Sequence, residues 1–245
     1  MGRPCLSKRA GHKGIDKGED MTDEVVDYDG HVSVGGPWAT RSLPGVDIVK
    51  LAVGPYDNNC YLVRSQATGQ ALLIDAAAEP ERIMDMIEAT GSTVAAILTT
   101  HAHPDHWQAL GKVSQATGAR TLAGRLDASD IPVETDVLLD HGAEIEVSDL
   151  RLRSVHLQGH TDGSIAAIYD DPRGHPHVFT GDCLFPGGVG KTWDDPVRFA
   201  SLLDGVEREL FNVLPDDAWV YPGHGDDTTL GLERPHLAEW RARGW

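Results

Sequence analysis

The sequence predicts an α/β fold of the layered type, with sheets inside and helices outside. Two observations carry this expectation. Strand-like runs come in meander-like series and then give way to a strand–helix–strand unit, and this order occurs in both halves of the chain. The 245 residues, 40% of them hydrophobic, suffice for one large core and suit one domain better than two.

Residues 1–22 are rich in Gly, Lys and Arg with almost no large apolar side chains, which predicts a disordered tail. The remainder, 23–245, reads as a single domain. Ordered structure is expected from near Val46. VDIVKLAV and NCYLVR have strand composition, with GPYDNN as the turn between them. ALLID is a short strand ending at Asp75. In EPERIMDMIEATG, residues Ile83, Met86 and Ile87 recur at helical spacing and Gly91 stops the helix. TVAAILTT is a buried strand that runs straight into HAHPDHW. A helix is expected over 105–117, with Pro104 at its first turn and Gly118 closing it. Further strands are expected at 120–123, 144–147, 151–156, 165–169 and 177–180. Phe199, Leu202, Leu203, Val206 and Leu210 recur every three or four residues and predict a helix over 196–210. AWVYPGHG reads as a last strand entering a loop, and 235–243 as a short terminal helix.

Lys and Arg number 21 against 38 Asp and Glu, a formal charge of −17. Such a surface repels phosphate backbones and anionic membranes, so neither nucleic acid nor a membrane is expected as a partner. The three cysteines, Cys5, Cys60 and Cys183, have no C-x-x-C spacing and suggest neither a disulfide framework nor a thiolate zinc site. No apolar run is long enough to cross a membrane, and the N-terminus has no apolar signal core. A reduced, cytoplasmic setting and a small-molecule substrate are the expectation; the oligomeric state is left open.

His101-Ala102-His103-Pro104-Asp105-His106 follows the strand TVAAILTT. On extended chain, His101 and His103 point the same way, and a turn at Pro104 swings Asp105 and His106 back toward the same pocket. Imidazole and carboxylate together suit zinc, with iron or manganese as alternatives. His160, Asp182 and His224 each sit just past an apolar strand with glycine beside them, in QGHTDGS, TGD and PGHG. His12 and His31 lie in the leader, and His141, His156, His175, His177 and His236 lack this setting and read as surface or loop residues. Cys183 reads as a small buried residue. Gly187–Gly190 is no phosphate loop, because no Gly-Lys-Ser/Thr follows.

THAHPDH, GHTDGS, TGDCLF and PGHG, in this order from about Val46 to Gly225, resemble the signature of the metallo-β-lactamase fold superfamily. The resemblance implies a four-layer αββα sandwich with its site at the sheet edge. It implies a first metal ion on His101, His103 and His160, a second on Asp105, His106 and His224, and Asp182 bridging them. NCYLV, THAHPDH and TGDCLFPGGVGK are closest to the glyoxalase II (hydroxyacylglutathione hydrolase) branch, where Lys191 and Trp193 would touch substrate. After His224 the chain reads GDD, where that branch usually has an acidic residue and a tyrosine, and about twenty residues follow. These departures predict poor handling of glutathione esters.

Two ions roughly 3.5–4 Å apart can share a hydroxide at neutral pH, which would attack a carbonyl carbon. Asp105 would orient it and take up its proton. A thiolate leaving group, with a pKa near 8.5, needs no acid, which favours thioesters. The competing readings are a mononuclear-iron persulfide dioxygenase and a lactonase or other esterase of the same fold.

Overall fold

The computed structural model describes residues 1–2 and 28–244, so nearly all of the expected 1–22 tail lies outside the described residues. Two large sheets face each other. The first contains β1 (Ala39–Leu43), β2 (Val46–Val53), β3 (Asn58–Ser65), β4 (Gln70–Ile74), β5 (Thr93–Thr99), β6 (Arg120–Gly124) and β7 (Val137–Leu139), in that spatial order. Neighbours through β4 are antiparallel; β4, β5, β6 and β7 are parallel.

The second sheet includes β8 (Glu144–Val147), β9 (Leu150–His156), β10 (Ile165–Asp170) and β11 (Pro176–Gly181). A hairpin of β12 (Leu184–Phe185) and β13 (Gly188–Val189) precedes β14 (Trp219–Pro222) and β15 (Thr228–Thr229). The spatial order is β15-β14-β11-β10-β9-β8, with β11 and β14 parallel.

Alternation of side chains builds the layers. Ile48, Tyr61, Val63, Leu72, Ile74 and Leu98 point inward and meet Ile165, Ala167, Phe179 and Tyr221 of the other sheet. Their neighbours Val49, Leu51, Leu62, Leu73 and Ile97 point outward and pack on α1 (Pro80–Ala89) and α2 (Leu110–Thr117) through Ile83, Met86, Leu110 and Val113. On the far side, Val155, Ala166, Ile168, Val178 and Val220 pack on Phe199, Leu202, Leu203 and Val206 of α3 (Pro196–Val206). Asp195 caps α3 by accepting from the backbone N–H groups of Val197 and Arg198, at 2.8 and 3.1 Å. After the short α4 (Leu230–Glu233), α5 (Leu237–Arg243) adds Trp240 to this layer. The observed stacking is helix, sheet, sheet, helix.

Several expectations need correction. Among the described residues, regular structure starts at Ala39 rather than near Val46. The helix expected over 105–117 is broken: Pro104–His106 is a single 3₁₀ turn, and α2 begins only at Leu110. The indole N–H of Trp107 donates to the Ala102 carbonyl at 2.8 Å, folding the intervening chain back on itself. The helix over 196–210 exists, but its last turn widens to a π-helical turn over Glu207–Phe211. His177, expected at the surface or in a loop, lies fully buried in β11 with Nδ1 2.9 Å from the Tyr221 hydroxyl.

The fold places polar side chains at one end of both sheets. His101 follows β5, His160 follows β9, Asp182 follows β11 and His224 follows β14. The two sheets are tied there by backbone bonds, Ile165 N to Thr100 O at 2.8 Å and Asn59 N to Gly223 O at 2.7 Å.

Candidate metal centre

The structure gathers all seven residues of the motif set. Three groups have ligand atoms within 4.8 Å of one another: His101, His103 and His160; His101, His106 and Asp182; Asp105, His106 and His224. His101 Nε2 is 3.0 Å from His103 Nδ1 and 3.2 Å from His160 Nε2. His106 Nε2 is 3.2 Å from His224 Nε2. Ligands on a tetrahedral zinc at about 2.1 Å stand about 3.4 Å from each other, so these separations are near what a shared ion requires.

The opposite edge of each ring explains why these nitrogens converge. The Nδ1–H of His106 donates to Asp75 Oδ2 at 2.8 Å, that of His160 to the Lys191 carbonyl at 2.9 Å, and that of His224 to the Tyr56 carbonyl at 2.7 Å. The Thr100 hydroxyl donates to Asp75 Oδ2 at 2.8 Å and accepts from His101 Nδ1 at 3.1 Å. Each of these four rings therefore commits its Nδ1 to a fixed partner and turns its Nε2 inward, as imidazoles around a metal do.

Asp182 stands between the groups. Its Oδ1 is 3.3 Å from His106 Nε2, and its Oδ2 is 3.5 Å from His160 Nε2 and 3.4 Å from His224 Nε2. Oδ1 is buried and has no hydrogen-bond partner among the described residues. A buried carboxylate oxygen without a donor is costly unless a cation completes it. Residue 223 must be glycine, because a Cβ there would overlap both this carboxylate and the His106 ring. Donor types, tautomers and the orphaned oxygen all fit divalent metal.

The electrostatics differ between the two groups. Burial pushes His101 and His103 below the ordinary imidazole range, and His160 down to about 4, so these rings stay neutral and keep their lone pairs. Burial acts the same way on His106, but the Asp182 and Asp75 carboxylates outweigh it and hold that ring well above 6.5. Burial would also raise Asp182, yet His106 first, then His224 and His101, keep it well below the usual carboxylate range.

Asp105 is half-exposed, with Oδ2 3.5 Å from His224 Nε2; Asn58 Nδ2 donates to both Oδ2 and the backbone carbonyl of Asp105, each at 3.0 Å. Trp193, half-exposed, stacks on the His160 ring at 5.4 Å between centroids with the planes 26° apart. The side chain of Lys191 is exposed; its carbonyl, rather than its ammonium, is what meets His160.

Sequence reading missed three supporting groups. Asp75 has φ 55°, in the left-handed region, and accepts from Thr100 N at 2.7 Å, from the Thr100 hydroxyl and from His106. Its position just past the apolar run ALLI is the same signal that marked Asp182. Asp127 joins two ligand loops, accepting from Ala102 N at 2.9 Å, the Thr161 hydroxyl at 2.6 Å and Gly163 N at 2.6 Å. Asn58 was assigned to a turn.

A groove of about 510 Å³ opens beside this centre, lined by His103, His160, Trp193, Leu126, Thr192 and Arg198, among others. Arg198 is committed to the Gly159 carbonyl and Asp162, at 2.8 and 3.2 Å.

Comparison with known proteins agrees with this geometry. The family model described as the metallo-beta-lactamase superfamily matches residues 53–224. A hydroxyacylglutathione hydrolase of Bradyrhizobium sp. (strain BTAi1) is 34% identical over 170 residues, 69% of this chain but only 62% of that protein. The crystal structure of ETHE1 from Myxococcus xanthus superposes with a TM-score of 0.70 at 31% identity, over 80% of this chain and 84% of that one. TTHA1623, solved in a di-iron-bound form, gives 0.63 at 32% identity, over 76% of this chain and 96% of that one. No helix among the described residues is long and apolar enough to cross a membrane. The matched span runs from the end of β2 to His224 and holds every residue of the centre, and the chain belongs to the metallo-β-lactamase superfamily.

Proposed function

We propose that the protein is a metal-dependent hydrolase of small-molecule thioesters, working with two divalent ions, zinc first and iron or manganese as alternatives. His101, His103 and His160 would hold one ion, Asp105, His106 and His224 the other, and Asp182 would serve both. The observation that carries this reading is Asp182, whose two oxygens lie 3.3–3.5 Å from nitrogens of both groups. Bound ions would supply Lewis acidity and a nucleophile at neutral pH.

The chain's own residues do the rest. Asp105 Oδ2, steadied by Asn58, sits beside His224 and is placed to accept a proton from attacking water. Asp75, Thr100 and the carbonyls of Tyr56 and Lys191 fix the ring tautomers. The acyl chain or its thiol would lie in the groove against Trp193, with Lys191 offering a charge at the rim. A thiolate departs without a proton donor, which favours thioesters over amides. We place the protein in the cytoplasm, consistent with free, buried Cys60 and Cys183, and assign it no nucleic-acid or membrane partner.

The deciding experiment is metal analysis of the purified protein beside a panel of thioesters differing in their thiol, S-lactoylglutathione among them. Two ions per chain and turnover of at least one thioester are expected. One iron per chain, oxygen uptake on a persulfide and no thioester turnover would replace this reading with the dioxygenase one.

A further inference from the structure

Lys50 is fully buried in the middle of β2 and belongs to no ligand group. Its Nζ donates to the Gly30 carbonyl at 2.7 Å, the Gly225 carbonyl at 2.7 Å and Asp227 Oδ1 at 2.8 Å, which satisfies all three of its N–H groups. Asp227 is equally buried, and its Oδ2 accepts from the Tyr28 hydroxyl at 2.5 Å and from the Trp219 indole at 2.9 Å. Taking two charges out of water costs about what their attraction returns, so stability alone does not account for such a pair.

What the pair holds is the chain just past a metal-site histidine. Gly225 follows His224 directly. Its carbonyl accepts from Lys50 and from Asn59 Nδ2, the latter at 2.9 Å, and its N–H donates to the Asp57 carbonyl at 3.1 Å. His224 itself forms a β-bridge with Asn58. The loop after β14 is thus drawn onto the β2–β3 hairpin, and this docking aims His224 Nε2 at His106 Nε2. Lys50 reaches the loop only at Gly225 and Asp227; it makes no hydrogen bond to His101, His103 or His160.

We propose that Lys50 is a positioning residue: through Gly225 and Asp227 it sets the aim of His224, and so the affinity of the ion held by Asp105, His106 and His224, while leaving the His101–His103–His160 group alone. This rests on the two-ion reading above.

The test compares full-length wild type, Lys50→Met and the double variant Lys50→Met/Asp227→Asn. Each is titrated with zinc against a competing chelator, and its metal-free thermal midpoint is measured. Asparagine keeps an acceptor for Tyr28 and Trp219 while removing the charge that Lys50→Met leaves unpaired. In both variants one of the two ions should lose about 10- to 100-fold in affinity, the range typical for groups that orient ligands, and the other should be unchanged. The double variant should recover most of the thermal midpoint without recovering the weakened ion. Two ions at wild-type affinity in the double variant, or equal weakening of both ions, would overturn the proposal. If Lys50→Met does not fold, the double variant alone decides. A wild type that binds only one ion would instead remove the two-ion reading, a result distinct from either outcome in the variants.

Discussion

Asp75 and His106 form a fully buried pair, with Nδ1–H donating to Oδ2 across 2.8 Å and the side chains 2% and 0% exposed. Asp75 also accepts from the Thr100 hydroxyl, which in turn accepts from His101. One carboxylate therefore orients a ring in each of two ligand groups. Asp75→Asn should keep the fold and weaken metal binding by about 10- to 100-fold. Isothermal titration of the metal-free variant checks this, and wild-type affinity would show that the rings are held by packing alone.

Asp182→Ala should leave the circular dichroism spectrum unchanged and lower both metal content and turnover. On the two-ion reading, losing that carboxylate removes the charge between the two groups that would offset repulsion between the dications. The loss of activity should exceed about 100-fold. Full activity at normal metal content would place the chemistry elsewhere.

Trp193 offers an exposed indole face above His160. Trp193→Ala should raise KM several-fold and change kcat less, because a wall that binds substrate and transition state alike acts on KM. Steady-state kinetics on the best thioester tests it; a pure fall in kcat would instead mean that the indole positions His160.

Acid sensitivity has a source outside the metal centre. His177 is buried and held down to about 3 by that burial, with His175 and Arg41 adding to it. An unfolded imidazole takes its proton near 6.5, so between about pH 6.5 and 3 the unfolded chain binds more protons and stability falls on acidification. At about 1.4 kcal/mol per pH unit, His177 should remove about 2 kcal/mol between pH 6.5 and 5. Urea unfolding in chelator, comparing wild type with His177→Gln at pH 7 and 5, should show a smaller acid loss in the variant. Equal losses would mean that the folded ring takes up its proton at the same pH as the unfolded one.

The seven candidate ligands were readable as a set because four stand together after one apolar strand, while His160, Asp182 and His224 each follow another with glycine beside them. The long helix α3 was readable from its apolar spacing. What escaped has different physical causes. β1 and β7 are short edge strands, and neither ATRSL nor VLL alternates apolar with polar residues. Asp75 and Asp127 act on partners 25 to 36 residues away, and nothing local announces that. Lys50 gave no signal within its strand because its countercharge lies 177 residues further on. The break after His106 reflects a tertiary demand: a continuous helix from 105 would not bring the chain back through the Trp107–Ala102 bond.

The centre draws its side chains from the ends of strands in both sheets, from Asp75 to His224. It cannot exist before the sheets have docked, and such distant contacts close late in folding. Ions should therefore bind a state lying beyond the main kinetic barrier. Refolding rates would be indifferent to zinc, while unfolding slows as zinc is added, moving only one arm of the chevron. Metal in this architecture would govern how long the native molecule lasts rather than how quickly it is made.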